Sequence, residues 1–90
     1  MSVKVNIDKS VPEIPAAENL SVETTGSNVG ECLADLVRQR PFLKKALYNK
    51  DRELLYDKMI IVNGIYESDN IADVPVKDGD EITIRKFPEG

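Results

Sequence analysis

One apolar stripe, set between short alternating segments, constrains this chain more than anything else in it. Val29, Cys32, Leu33, Leu36 and Val37 recur at i, i+3, i+4, i+7 and i+8. That spacing places all five on one side of an α-helix. Asn28 stands three residues before Glu31, a variant of the capping box that opens helices. Pro41 disfavours helical geometry at Arg40. The spacing therefore predicts a helix over about 29–39 with one face that has to be covered. A single helix in a chain of 90 residues finds that cover in a sheet.

The strands are legible on both sides of the stripe. Val3, Val5 and Ile7 alternate with polar residues, and Leu20 to Thr24 alternates again. Period two of this kind is a strand signal. The stretch between them holds Pro12 and Pro15 and reads as a long loop closing a first hairpin. After the helix, Phe42, Leu43, Ala46 and Leu47 suggest a short helical turn, followed by a charged loop at Asn49 to Glu53. Leu54 and Leu55 read as a brief strand or as residues tucked under the domain. Met59-Ile60-Ile61-Val62 is a continuous apolar strand, closed by the turn signal Asn63-Gly64. Tyr66 to Val76 shows no clear period. Asp78-Gly79-Asp80 is a turn, and Glu81 to Arg85 alternates as the last strand. Strand, strand, helix, strand, strand is an α+β order with the helix across one face of the sheet. Val5, Ile7, Leu33, Leu36, Ile61 and Ile84 are the expected core, in one domain over 1–90.

Composition narrows the chemistry. The apolar share, 41%, suits a folded domain rather than a disordered one. No apolar run approaches the roughly 20 residues of a membrane span, and Met1 to Lys4 leads directly into a strand. We therefore expect no signal peptide, no membrane association and a cytoplasmic location. The net charge of −4 argues against a nucleic-acid ligand. The basic residues nevertheless gather at Arg38, Arg40, Lys44, Lys45, Lys50, Arg52 and Lys58. They form either a solvated face or a docking patch for an acidic partner. There is no histidine and one cysteine, Cys32. Histidine-activated nucleophiles and histidine or CxxC metal sites are thus excluded. Cys32 lies on the apolar stripe and reads as a small core residue. We expect no cofactor bound by this chain, and no metal.

The end of the sequence is distinctive. The last strand runs into Phe87-Pro88-Glu89-Gly90. Pro88 has no N–H to donate, so pairing is expected to stop near Phe87. Residues 88–90 are expected to form a flexible tail, reaching at most ~10 Å. A terminal glycine, without a side chain, can enter a narrow active site. Phe87, at the base of the tail, is either a partner-binding anchor or a residue that closes the edge of the core.

The chain resembles the MoaD/ThiS sulfur-carrier family of ubiquitin-like β-grasp proteins. The residues that carry the resemblance are Val3-Lys4-Val5, Val29-Gly30-Glu31-Cys32-Leu33 with Leu36, Val62-Asn63-Gly64 and Lys77-Asp78-Gly79-Asp80-Glu81-Ile82-Thr83-Ile84. It implies a β-grasp fold, a mixed sheet with one main helix packed across one face. It also implies a chemistry: a ubiquitin-activating-like adenylyltransferase adenylates the C-terminal carboxylate, here that of Gly90, and sulfur converts it to a thiocarboxylate. The carrier itself is not an enzyme. Further partners would be a larger synthase subunit or a thiazole synthase, in molybdopterin, tungstopterin or thiamine-type biosynthesis. The family tail ends in Gly-Gly, whereas this one ends in Glu89-Gly90. Two unit charges ~4 Å apart repel by ~1 kcal/mol in water and ~4 kcal/mol at an effective dielectric of about 20. A cognate enzyme must therefore pair Glu89 with a cation, or else this tail is not activated. In the second case the chain is a non-covalent β-grasp binding module. A third reading, a small enzyme built on Asp78, Asp80 and Glu81, competes with a simpler one, since Asp and Gly favour turns for local reasons.

Overall fold

The computed structural model describes residues 2–11, 20–48 and 58–87. Its strands are β1 (Val3–Ile7), β2 (Leu20–Thr24), β3 (Lys58–Val62), β4 (Ile65–Glu67) and β5 (Glu81–Lys86), and its helices are α1 (Val29–Gln39) and α2 (Lys44–Leu47). Two short 3₁₀ turns, Pro41–Leu43 and Ile71–Asp73, complete the described elements. The sheet order is β2-β1-β5-β3-β4. β1 and β5 pair in parallel at its centre, and every other pairing is antiparallel. The expected mixed β-grasp sheet is present, with α1 across one face.

The apolar stripe forms as its spacing requires. Val29, Cys32, Leu33 and Leu36 are fully buried against Val3, Val5, Ile7, Ile60, Ile82 and Ile84. The Asn28 side chain accepts the Glu31 N–H at 2.8 Å. Glu31 reaches one residue beyond the cap and accepts from the Ser27 N–H at 2.7 Å and the Ser27 hydroxyl at 2.8 Å. Those two bonds hold its carboxyl below the ordinary glutamate value. The chain enters α1 so closely that a Cβ on Gly26 would lie 2.8 Å from the Cys32 nitrogen and from the Glu31 Cβ. Cys32 is a core residue, and burial pushes its thiol pKa up.

Asp35 is the one buried carboxylate among the described residues. It accepts from the Thr25 N–H at 3.1 Å and the Gln39 amide at 2.9 Å, and it pairs with the Arg38 guanidinium. Gln39 also donates to the Glu23 carbonyl at 2.8 Å, so this network ties the C-terminal half of α1 to the end of β2. The Arg38 guanidinium, aided by the other donors, holds the Asp35 carboxyl below its ordinary value.

Three readings of the sequence are corrected. Ile61 is half-buried and outside the core, whereas Ile60 and Val62 are buried. A run of four apolar residues has no internal period, so it could not say which parity faces the helix. The register answers this: Ile60 lies opposite Ile84, and Ile61 opposite Thr83. Lys58 is 3% exposed and does not belong to the surface basic cluster, because it shares the parity of Ile60. Tyr66 and Glu67, read as the start of an aperiodic connection, form β4 together with Ile65. Asn63 and Gly64 both take positive φ, 49° and 85°, the two-residue turn that returns a strand alongside its predecessor. Lys50, Arg52, Leu54, Leu55 and the tail residues Pro88, Glu89 and Gly90 lie outside the described residues.

Candidate functional site

The helix covers one face of the sheet and leaves the other open. Alternation assigns the open positions. They are Lys4 and Asn6 on β1, Ser21 and Glu23 on β2, Met59 and Ile61 on β3, Tyr66 on β4, and Glu81, Thr83 and Arg85 on β5. This face is divided. Its β2–β1 half is polar, with the Ser21 hydroxyl bonded to Asn6 and Lys4 lying 3.9 Å from Glu81. That ion pair is half exposed on both sides and contributes little.

The β3–β4 edge is apolar, bordered by Thr83 and Arg85 of β5. Met59 and Ile61 form its floor, and Tyr66 is 47% exposed. Phe87 follows β5 directly and is 40% exposed. Its ring meets Tyr66 edge-on, with centroids 6.2 Å apart and planes at 88°. Edge-to-face pairs of this kind add about 0.5–1.5 kcal/mol beyond area burial. The ring is paired with a surface aromatic, and Phe87 is not among the residues packed into the core. Tyr66 and Ile61 belong to the same patch, and sequence reasoning did not reach them. The signal was the parity of β3 relative to β5, which only the register supplies.

The acidic turn has a structural explanation. Asp78 accepts the Ser2 N–H at 2.6 Å, the Asp80 carboxylate accepts the Lys77 N–H at 2.9 Å, and the Asp80 carbonyl accepts from Lys4 at 3.1 Å. Gly79 donates to the Ser2 carbonyl at 2.9 Å. Asp78 and Asp80 thus fasten the approach to β5 onto the start of β1. Among the described residues, the Glu81 side chain meets Lys4. Asp78 and Asp80 are thus occupied in the turn, and no group of three or more such side chains is gathered to hold a metal ion among the described residues. Among the described residues, no helix is long and apolar enough to cross a membrane.

No protein-family model matches the sequence, and no curated protein matches it. Solved structures do match. Small archaeal modifier protein 1 from Haloferax volcanii superposes with a TM-score of 0.75 at 22% identity, over 100% of this chain and 99% of that one. A chain of the Amycolatopsis orientalis BexX/CysO complex matches with a TM-score of 0.68 at 28% identity, over 96% of this chain and 98% of that one. A chain of the complex of subunits 1 and 2 of the molybdopterin-converting factor from Helicobacter pylori matches at 0.60 and 22%, over 100% and 99%. Two of these three were thus solved with a protein partner. The fold is that of small ubiquitin-like sulfur carriers and modifiers. By its architecture, this chain has a ubiquitin-like β-grasp fold, similar to that of small archaeal modifier protein 1, the BexX/CysO chain and the molybdopterin-converting factor chain.

Proposed function

We propose that this chain is a sulfur carrier that docks through the apolar edge of its open sheet face and is activated at Gly90. The observation that carries the reading is the exposed Tyr66–Phe87 pair at the end of β5. A partner that covers these rings is held at the point where the strand gives way to residues 88–90. Buried aromatics dominate interface energetics, and an exposed aromatic pair over an apolar floor marks a protein-interaction surface. The likeness to proteins solved in complexes supports protein partners in general.

The chemistry follows from the weakness of a carboxylate as an electrophile. The Gly90 carboxylate attacks the α-phosphate of ATP, and pyrophosphate leaves. The acyl-adenylate carries a good leaving group. A sulfide equivalent attacks its carbonyl carbon, AMP departs, and a thiocarboxylate remains. This chain contributes the docking face and the carboxylate; an adenylyltransferase of the ubiquitin-activating type contributes the catalysis. The acceptor would be a synthase subunit or thiazole synthase of a molybdopterin, tungstopterin or thiamine-type pathway.

The test uses the full chain with an activating enzyme from the same cell, magnesium, ATP and a sulfide donor. The intact mass should rise by the difference between one sulfur and one oxygen. Deleting Gly90 should abolish the change while leaving the melting temperature intact. Glu89→Gly should speed the reaction with a generic enzyme and slow it with one that pairs Glu89. If neither tail is adenylated by any activating enzyme of that cell, the non-covalent binding module replaces this reading.

A further inference from the structure

A second surface lies away from the open sheet face, where α1 ends. Residues 38–45 read Arg-Gln-Arg-Pro-Phe-Leu-Lys-Lys and contain no acidic residue, in a chain whose net charge is −4. The charge of this protein is therefore segregated. Arg38 is engaged by Asp35. Arg40, Lys44 and Lys45 are exposed, and among the described residues none has a carboxylate within ion-pair distance. Between them stands Phe42, 48% exposed, although Leu43, Ala46 and Leu47 around it are 0–2% exposed and belong to the core.

Each part of this arrangement has a partial explanation in stability alone. Cations near the C-terminal end of α1 complement its dipole. The 3₁₀ turn and α2 plug the core with Leu43, Ala46 and Leu47. Neither explains why a phenylalanine is left in solvent among three cations that have no carboxylate partner among the described residues. The anchoring of Leu43, Ala46 and Leu47 fixes the backbone that carries the group, so binding requires no ordering of that backbone.

We propose that Arg40, Phe42, Lys44 and Lys45 form a second docking site, which takes an acidic segment of a partner protein and seats one of its apolar side chains on Phe42. Charge complementarity selects this occupant. Three exposed cations on an acidic protein are few for a nucleic acid, whose binding scales with the phosphates neutralised. They are also few for an anionic membrane, where each basic residue contributes only about 1 kcal/mol. An acidic segment needs two or three carboxylates and one apolar side chain, and the surface offers partners for both. The site does not depend on the Tyr66–Phe87 face or on activation of the tail.

The test titrates a synthetic peptide, acetyl-Glu-Asp-Glu-Leu-Asp-Glu-Glu-amide, into isotopically labelled full-length chain and follows the backbone amide signals. Saturable shifts should centre on residues 40–47. They should fade as salt is raised from ~0.1 M to ~1 M, which shortens the screening length from ~10 to ~3 Å. The Lys44→Glu/Lys45→Glu double variant should weaken binding by about tenfold or more, and Phe42→Ala by several-fold, with melting temperatures near that of the parent. Phe87→Ala should leave this binding unchanged, which separates the outcome from that of the sheet face. The proposal is overturned by the absence of saturable shifts, or by shifts centred on the open sheet face. It is equally overturned if a single-stranded oligonucleotide or anionic vesicles bind these residues more tightly than the peptide does, or if the site proves to mediate self-association of this chain.

Discussion

The two faces of the sheet are built from the same strands, one residue apart, and they are governed by different rules. Ile60 and Ile61 are adjacent in sequence and chemically identical, yet one is fully buried beneath α1 and the other lies on the open face. On the covered face, aliphatic residues from β1, β3 and β5 are buried together, and Thr24 and Lys58 are the polar residues buried with them. On the open face, polar pairs give way to two aromatic rings near the end of β5. The covered face determines whether the chain folds; the open face has no comparable role in stability, so its residues are free to be set by what they meet.

This contrast can be broken most decisively at the two isoleucines and at the stripe. Leu36→Ala and Ile60→Ala should each cost ~2–5 kcal/mol, a fall of roughly 4–8 °C in melting temperature per kcal/mol for a domain of this size. Ile61→Ala should cost about 1 kcal/mol or less, since its side chain already meets solvent. Equal losses at 60 and 61, measured by urea unfolding, would mean that the open face is part of the core. Gly26→Ala probes the entry to α1. Its Cβ would collide with helix backbone, and the expected cost is ~1–3 kcal/mol.

Asp35→Asn sharpens the same comparison through pH. The carboxyl is held below its ordinary value in the folded chain, so its ionised form stabilises the fold at neutral pH. That contribution is complete above the ordinary aspartate value of about 4 and is lost as pH falls below it through the folded value. The variant should therefore melt lower than the parent at pH 7, and the gap should narrow only under acid conditions. A gap independent of pH would point to packing instead of charge. The smallest effect on stability is expected at Phe87→Ala, within about 1.5 kcal/mol for the ring pair. Its effect should instead appear as weaker binding of the activating enzyme in a titration. A large loss of stability with unchanged binding would return Phe87 to the core edge.

How much of this was legible in the sequence depended on period. The stripe from Val29 to Val37 carries a helical repeat, and its cap and its stop at Pro41 are local chemistry, so α1 could be placed to the residue. Val3 to Ile7 and Glu81 to Arg85 alternate, so their buried parity was evident. Met59 to Val62 carries no alternation, and its parity came from pairing with β5. β4 is three residues long and mostly exposed, so no periodic signal marks it; only Asn63-Gly64 hinted that a strand turns back. The burial of Lys58 followed from the same unresolved parity. For the candidate site, Phe87 was visible because it precedes Pro88, whereas Tyr66 and Ile61 join it only through strand order, a property of pairings between distant segments. The acidic turn was legible as a turn, and its role in fastening β5 to β1 was not.

The parallel pairing of β1 with β5 has a consequence for the order of events during folding. These two strands lie at opposite ends of the described chain and share the centre of the sheet. The hairpins β1–β2 and β3–β4 can form from near neighbours, but neither joins the other until β5 arrives between them. Closing so long a loop carries an entropic cost that local contacts do not offset, and topologies of this kind fold slowly. The strand that completes the sheet is also the one that leads to Phe87. The Tyr66–Phe87 pair therefore exists only once β5 is paired with β3. A chain caught short of that step, or one nicked within β5, would present no docking surface, and a partner that reads this face would encounter only finished molecules.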